Sequence, residues 1–324
     1  MQRKNTGKRM LNRRYLRVKV LQSLYAFLMN NKDNLAEGEK LLLLNFKKLT
    51  ELCIYQFSLL TEIIDYADKR QEEAKGKFFP TEEEVNPNMR FIDNRFIKQL
   101  RANRHFQKQL NEFKINWGDE HELIRKLFVK INDSKWFQKY KTNPTDNYIE
   151  DKELIVKIIQ NIFTESEMLE EFYEDKSIYW TDDYDTANVL TIKTINLFEE
   201  KFDEYYLLPD LFKGKDDDDR LFMLELFRQT AIHSEEFRTI IESKLTNWDY
   251  ERLAYMDILL IKMAICELLN FPSIPIKVSL NEYIEISKFF STPKSKIFIN
   301  GILDRLAIEF QKDKLIKKSG RGLM

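Results

Sequence analysis

The chain has 324 residues, of which 52 are Lys or Arg and 53 are Asp or Glu, so its formal net charge at pH 7 is −1. This balance excludes a polycation that binds nucleic acid along its whole length. With 43% hydrophobic residues but only 8 glycines and 7 prolines, the composition is typical of an all-α protein. The sequence also lacks the G-x-G-x-x-G and G-x-x-x-x-G-K-[ST] phosphate-binding loops.

The sequence offers little for metal or redox chemistry. Cys53 and Cys266 lie in apolar helical patterns, which predicts buried free thiols and a reducing compartment, the cytoplasm. The three histidines are scattered without metal-ligand spacing, so neither a metal nor another cofactor is expected. The basic N-terminal stretch has no apolar run behind it, which predicts neither a signal peptide nor a membrane span.

The first element in chain order is basic, with eight Lys or Arg and no acid in residues 1–19. About the first ten residues are predicted to form a flexible arm, and a helix is predicted from about Asn12 because apolar residues then recur at helical spacing. Arg13, Arg14 and Arg17 are expected at the exposed start of that helix. Since cations oppose the helix dipole there, the cluster favours a bound polyanion such as nucleic acid over a merely solvated helix end.

The middle of the chain is predicted to be helical with polar linkers. Aromatic side chains between residues 90 and 140 recur at helical spacing, which favours core positions over a stacking surface for single-stranded nucleic acid. The acidic stretch 165–185 is predicted to be solvated and not a catalytic or metal site. The helices are expected at about 35–72, 90–114, 119–140, 146–163, 185–205 and 219–243.

A nearly uninterrupted apolar run lies at 257–269. It has neither proline nor glycine, and its only charges are Asp257, Lys262 and Glu267. Such a run predicts a helix surrounded by protein on most sides. It is too short and too charged to cross a bilayer.

The elements after this helix are marked by local signals. Pro272 and Pro275 break the helix, and Ser279 with Glu282 has the S-x-x-E spacing of a capping box, which predicts that the next helix opens at Ser279. In the last helix, Gly301 costs about 1 kcal/mol relative to alanine, which predicts close approach of a neighbouring helix or a ligand. The basic tail over 312–324 is expected to be frayed.

Together these elements predict an all-α fold, a bundle of about ten helices. Residues 13–25 read Arg-Arg-Tyr-Leu-Arg-Val-Lys-Val-Leu-Gln-Ser-Leu-Tyr. Residues 274–288 read Ile-Pro-Ile-Lys-Val-Ser-Leu-Asn-Glu-Tyr-Ile-Glu-Ile-Ser-Lys, and residues 298–304 read Phe-Ile-Asn-Gly-Ile-Leu-Asp. In this order and spacing the segments resemble the NusB family of transcription antitermination factors.

The resemblance implies a non-catalytic bundle of two helical subdomains, divided by an insertion. Residues 1–74 would hold the basic arm and the first helices of the bundle. Residues 75–190 would be the inserted helical region, and residues 191–324 would form the C-terminal helical subdomain.

The resemblance also implies a function. Such proteins bind boxA-type single-stranded leader RNA of ribosomal RNA operons together with the small-subunit ribosomal protein NusE, and through this assembly they act on the RNA polymerase elongation complex. At matching positions, the resemblance implies that Glu251 and Asp257 contact the protein partner, because their carboxylates would not favour RNA phosphates. RNA contacts are implied for Arg13, Arg14, Arg17, Tyr25, Lys288 and Phe298, although core packing explains the two aromatic residues equally well.

Two functions therefore stay open at this point: an RNA-binding antitermination factor, and a helical protein–protein scaffold that has lost RNA binding and whose insertion recruits a partner. A third interpretation, the NusB-like domain of an RNA cytosine methyltransferase, requires a glycine-rich cofactor loop and reactive cysteines, and the sequence has neither.

Overall fold

The structure, a computed structural model, describes residues 10–30, 34–79, 81–212, 214–245 and 249–323. Within these ranges the chain is all-α, as predicted, without a strand. The basic arm predicted over about the first ten residues falls almost wholly on residues 1–9, outside the described part. The helices are α1 (Arg13–Met29), α2 (Leu35–Lys75), α3 (Glu82–Val85), α4 (Arg95–Ala102), α5 (Arg104–Phe113), α6 (His121–Asn132), α7 (Lys135–Thr142), α8 (Tyr148–Ile158), α9 (Glu167–Lys176), α10 (Tyr184–Leu197), α11 (Asp218–Ile232), α12 (Ser234–Glu242), α13 (Tyr255–Asn270), α14 (Ile276–Phe290) and α15 (Ser295–Lys312).

Several long helices predicted from the sequence are pairs of shorter ones. The helix expected over 90–114 is divided at Asn103, whose side chain accepts a hydrogen bond from Phe106 N at 2.8 Å and caps α5. The helix expected over 119–140 is divided between α6 and α7. Helix α8 continues into a π-helical turn at Ile159–Phe163.

The chain divides into two compact units, with boundaries at Asn45/Phe46 and Leu211/Phe212. Unit 1 is formed by the residues up to Asn45 together with those from Phe212 onwards, and unit 2 is the continuous segment 46–211. Helix α2 contributes residues to both. The boundaries expected from the sequence, after residues 74 and 190, stay a prediction about how the family bundle is interrupted.

Helix α13 is the centre of unit 1. Every residue from Asp257 to Leu268 is buried, which confirms the prediction of a helix enclosed by protein. Its neighbours are α1, α11, α12, α14 and α15. Because each fully buried Leu or Ile side chain contributes about 1.5–3 kcal/mol, this one helix anchors the packing of the whole unit.

The core of unit 2 is aromatic. The ring of Tyr55 lies edge-on to Trp117 and Trp180, with centroid distances of 5.6 Å and 5.3 Å. Both indole N–H groups are satisfied: Trp117 donates to Ser58 Oγ and Trp180 to the carbonyl oxygen of Lys48, each at 2.8 Å. Between residues 90 and 140, Phe91, Phe96, Phe106 and Phe137 are buried as well, so the aromatic residues of this region are largely core residues, as their spacing predicted.

The C-terminal part differs from two expectations. A Cβ built on Gly301 meets no described atom within 4 Å, so close approach of a neighbouring helix does not explain this glycine, and the alternative of a ligand stays a prediction. The tail is partly docked instead of frayed, because Lys318 Nζ donates to the carbonyl oxygen of Phe271 and Ser319 N to that of Pro272, each at 3.0 Å.

Among the described residues no helix has the length and apolarity needed to cross a bilayer. The same part of the chain holds no group of three or more His, Cys, Asp or Glu side chains placed to bind a metal ion.

Candidate functional site

A cleft of about 590 Å³ opens in unit 1 where helices α1 and α14 begin. The start of α1 is capped by Asn12, whose side chain accepts a hydrogen bond from Tyr15 N at 2.7 Å. Helix α14 follows Pro275 and has no side-chain cap. We call this the basic cleft; its lining residues are Asn12, Arg13, Arg14, Arg17, Ser273, Ile274, Pro275, Val278 and Glu282.

Arg13 and Arg14 stand at the accessible side of the basic cleft. Arg13 Nε lies 3.2 Å from Asp219 Oδ1, and its guanidinium carbon lies 4.9 Å from the ring centroid of Phe222. Arg14 binds Glu282 through two parallel contacts, from Nε at 2.9 Å and from Nη2 at 3.0 Å. These hydrogen bonds raise the pKa of Arg14 above its ordinary value despite partial burial.

Arg17 is not at an exposed helix end, and this part of the expectation is wrong. Its side chain is only 2% exposed. Nε and Nη2 donate to the two carboxylate oxygens of Glu267 at 2.8 Å and 2.7 Å, and Glu267 itself is fully buried. Because a bidentate arginine–carboxylate pair inside the core is fixed in geometry, Arg17 supports the cleft from within and is not available to a phosphate in this structure.

Ser279 and Glu282 do not form the predicted capping box. Helix α14 already begins at Ile276, so both residues lie inside it. Ser279 Oγ donates to Glu267 Oε1 at 2.7 Å, and Tyr283 OH donates to Glu267 Oε2 at 3.0 Å. Burial raises the pKa of Tyr283 far above its ordinary range, so the hydroxyl stays protonated and keeps donating.

The other residues to which the resemblance assigns roles do not line the basic cleft. Tyr25 is 38% exposed on α1, with its ring edge-on to Tyr255 at 5.6 Å. Lys288 pairs with Glu285 one turn earlier on α14. Phe298 is half-buried on α15. The roles in RNA contact proposed for Tyr25, Lys288 and Phe298 stay predictions.

The two acidic residues expected to meet a partner differ from each other in the structure. Glu251 is exposed and accepts a hydrogen bond from Arg238 Nη2 at 2.6 Å. Asp257 is buried and accepts from Ser291 Oγ, which ties the start of α13 to the turn between α14 and α15. The partner-binding roles of both residues stay predictions.

Sequence reasoning missed the carboxylates that hold the arginines: Asp219 for Arg13, Glu282 for Arg14 and Glu267 for Arg17. A signal for Glu267 was present, since an acid within an otherwise apolar buried helix requires a partner. Asp219 stands in a run of acids, where nothing distinguishes it from a solvated side chain, and the spacing of Glu282 from Ser279 indicated a capping role instead.

Comparison with known proteins assigns the chain to a family. The sequence profile of the NusB family matches residues 186–307, a range that leaves out α1. The transcription antitermination protein NusB of Salinibacter ruber is 42% identical over 110 residues, which is 34% of this chain and 69% of that protein. The corresponding protein of Koribacter versatilis is 36% identical over 102 residues, 32% of this chain and 70% of that protein.

The transcription antitermination protein NusB of Chloroherpeton thalassium is 39% identical over 103 residues, 32% of this chain but only 49% of that protein. No solved structure matches the chain significantly. The matched region takes in most of α10, α11 to α14 and most of α15. It includes the elements that build one side of the basic cleft and supply Glu267, but not Arg17 on α1. The chain therefore belongs to the NusB family.

Proposed function

We propose that this chain is a transcription antitermination factor without catalytic activity that binds single-stranded RNA at the basic cleft. The observation that carries the proposal is the position of Arg13 and Arg14, 27% and 45% exposed, beside the starts of two helices in a protein of this family. Guanidinium forks match phosphate geometry, and helix starts present backbone N–H groups to anions.

Bases of the RNA need contacts of a different kind. Single-stranded RNA is recognised largely by stacking of its unpaired bases on aromatic side chains. Tyr25, exposed on the same helix as the cleft arginines, is the first candidate for such stacking. Lys288 and Phe298 would extend the contact along α14 and α15. Arg17 would act indirectly, by holding α1 against α13.

The RNA in this proposal is a boxA-type leader sequence of ribosomal RNA operons, and the protein partner is the ribosomal protein NusE. Glu251 offers an exposed carboxylate to a basic partner, while Asp257 would act through the turn that it holds. The assembly would reach the RNA polymerase elongation complex in the cytoplasm.

One observation favours the second candidate function, a protein–protein scaffold without RNA binding. Each arginine of the basic cleft already has a carboxylate within 3.2 Å. A phosphate must therefore replace an internal partner at Arg13 or Arg14 before it gains a contact.

A salt titration of RNA binding tests the proposal. Fluorescence anisotropy with a labelled boxA-like RNA, with and without NusE, would compare the wild type with the double variant Arg13→Ala/Arg14→Ala. Loss of two phosphate contacts is expected to weaken binding and to reduce the slope of log K against log salt by about 1.4, since each contact to a single strand contributes about 0.7. Arg125→Ala, at an exposed arginine on α6 that also pairs with a glutamate, is the matched control and should leave both quantities unchanged.

Absence of binding by the wild type at low salt, both with and without NusE, would contradict RNA binding and leave the scaffold as the function.

A further inference from the structure

The carboxylate of Glu282 occupies the place on Arg14 that an RNA phosphate would take. Arg14 donates from Nε and Nη2 to the two oxygens of this carboxylate at 2.9 Å and 3.0 Å. Phosphate binds the same edge of a guanidinium in the same two-bond geometry. Arg14 cannot form both pairs through this edge at once, so the two anions compete.

This pair differs from the buried pair beside it. The side chains of Arg14 and Glu282 are 45% and 20% exposed, whereas those of Arg17 and Glu267 are 2% and 0% exposed. Water screens an exposed ion pair, which therefore contributes little to stability and can be exchanged. Glu282 would also keep a cation after exchange, since its Oε2 lies 3.7 Å from Arg17 Nη1.

We propose that Glu282 is an internal competitor of the basic cleft, a carboxylate that RNA must displace from Arg14. Its negative charge weakens the binding of every polyanion. An RNA whose bases are also held elsewhere on the protein still binds after that loss, whereas an RNA that offers phosphates alone has no other contacts to offset it. This inference rests on the proposed RNA-binding function.

The isosteric variant Glu282→Gln tests the proposal because it removes the charge and keeps the shape. The dissociation constants of the full-length protein would be measured for a boxA-like RNA and for a scrambled RNA of equal length, over a range of salt concentrations. Freeing Arg14 is expected to tighten binding by about two- to fivefold, the range for loss of an exposed ion pair. The gain should be the same factor for both RNAs, because both must displace the same carboxylate, and the salt slope should steepen by up to about 0.7.

Glu309→Gln is the matched control. Glu309 belongs to the same unit, and its side chain is 42% exposed and pairs with Lys244. It does not line the basic cleft. Glu309→Gln changes the net charge of the protein by the same amount as Glu282→Gln. A second variant, Glu282→Gln combined with Arg14→Ala, should lose the gain, because the effect acts through that one guanidinium.

The outcomes separate the two claims. The inference is supported if Glu282→Gln binds RNA more tightly than the wild type and if this gain is lost when Arg14→Ala is added. This holds even if binding by the wild type is too weak to detect. Unchanged or weaker binding by Glu282→Gln, or an equal gain in Glu309→Gln, overturns it while RNA binding by the wild type stands. Absence of binding by the wild type and all variants overturns both the inference and the proposed function.

Discussion

Each unit of the chain buries a carboxylate that pairs with an arginine, but the two arginines differ in exposure. In unit 1, Glu267 binds Arg17, and both side chains are inside the core. In unit 2, Asp151 is also buried and accepts hydrogen bonds from Tyr140 OH at 2.7 Å and from Arg95 N at 3.0 Å. The guanidinium of Arg95, 3.2 Å from Asp151, is 40% exposed.

The difference shows which charges the fold depends on. Water can take over as the partner of Arg95 if its carboxylate is lost, whereas Arg17, only 2% exposed, has little access to water. Removal of one member of a buried pair leaves an uncompensated charge in the core, which costs far more than loss of a partly exposed pair. Unit 1 therefore depends on keeping both members of its buried ion pair, whereas unit 2 tolerates the loss of one member better.

The largest expected effect is that of Glu267→Gln, which removes the bidentate partner of the buried Arg17 guanidinium and leaves only Glu282, 3.7 Å from Nη1, as a counter-charge. We expect unit 1 to lose about 3–5 kcal/mol of its free energy of unfolding. Asp151→Asn should cost unit 2 only about 1–2 kcal/mol, because the amide still accepts a hydrogen bond and Arg95 is hydrated. Urea unfolding, followed by hydrogen exchange of peptides from α13 and α8, reads the two units separately.

The double variant Arg17→Met/Glu267→Leu replaces both charged side chains by apolar ones of similar size. It should recover much of the stability that Glu267→Gln loses. If Glu267→Gln and Asp151→Asn lose equal amounts of free energy of unfolding, burial of the arginine does not determine the size of the loss.

A smaller effect is expected from deletion of one hydroxyl in each unit. Tyr283 and Tyr173 are both fully buried. Tyr283 OH donates to the Glu267 carboxylate, whereas Tyr173 OH has no hydrogen-bond partner in the described part of the chain. Tyr283→Phe should cost about 1.5–3 kcal/mol, the value for a hydrogen bond to a charged group, and Tyr173→Phe should be neutral or slightly stabilising. Thermal and urea unfolding measure the stability of both variants. An equal loss of stability in Tyr173→Phe and Tyr283→Phe would contradict the expected difference between the two hydroxyls.

The smallest effect concerns the tail of unit 1. A Cβ on Gly322 would lie 1.9 Å from the carbonyl oxygen of Pro272, so Gly322→Ala must displace the tail. We expect faster hydrogen exchange at the Ser319 amide and a stability loss of less than about 1 kcal/mol, since only a local contact opens. Gly301→Ala is the control, with open space at its Cβ; as an ordinary helix substitution it should stabilise by about 0.5–1 kcal/mol. Unchanged exchange at Ser319 would show that the tail is not held by this contact.

The parts of this structure that follow from local pattern could be predicted. The spacing of apolar residues located α1 and the buried α13, and the elbow at Pro272 and Pro275 located the break after it. The fold class followed from the composition. The division of the helix expected over 90–114 was missed because it lies at a single residue, Asn103, whose side chain caps α5.

Pairings between distant segments could not be predicted. Ser279 and Glu282 have the spacing of a capping box. Because the helix already begins at Ile276, both side chains make tertiary contacts instead. The exposure of Arg17 was misjudged for the same reason, since its partner Glu267 is 250 positions away in the chain. Local spacing carries no information about such a partner.

That separation has a consequence for biosynthesis. Ribosomes add about 5–20 residues per second, so the carboxylate that neutralises Arg17 is made roughly 13–50 s after the arginine. Unit 2 is continuous in sequence and has all its residues by Leu211. We therefore expect unit 2 to complete its fold on the ribosome while α1, with its apolar stripe, still waits for α13. Unit 1 closes last, and a nascent chain interrupted before Glu267 would expose the helix that carries the cleft arginines.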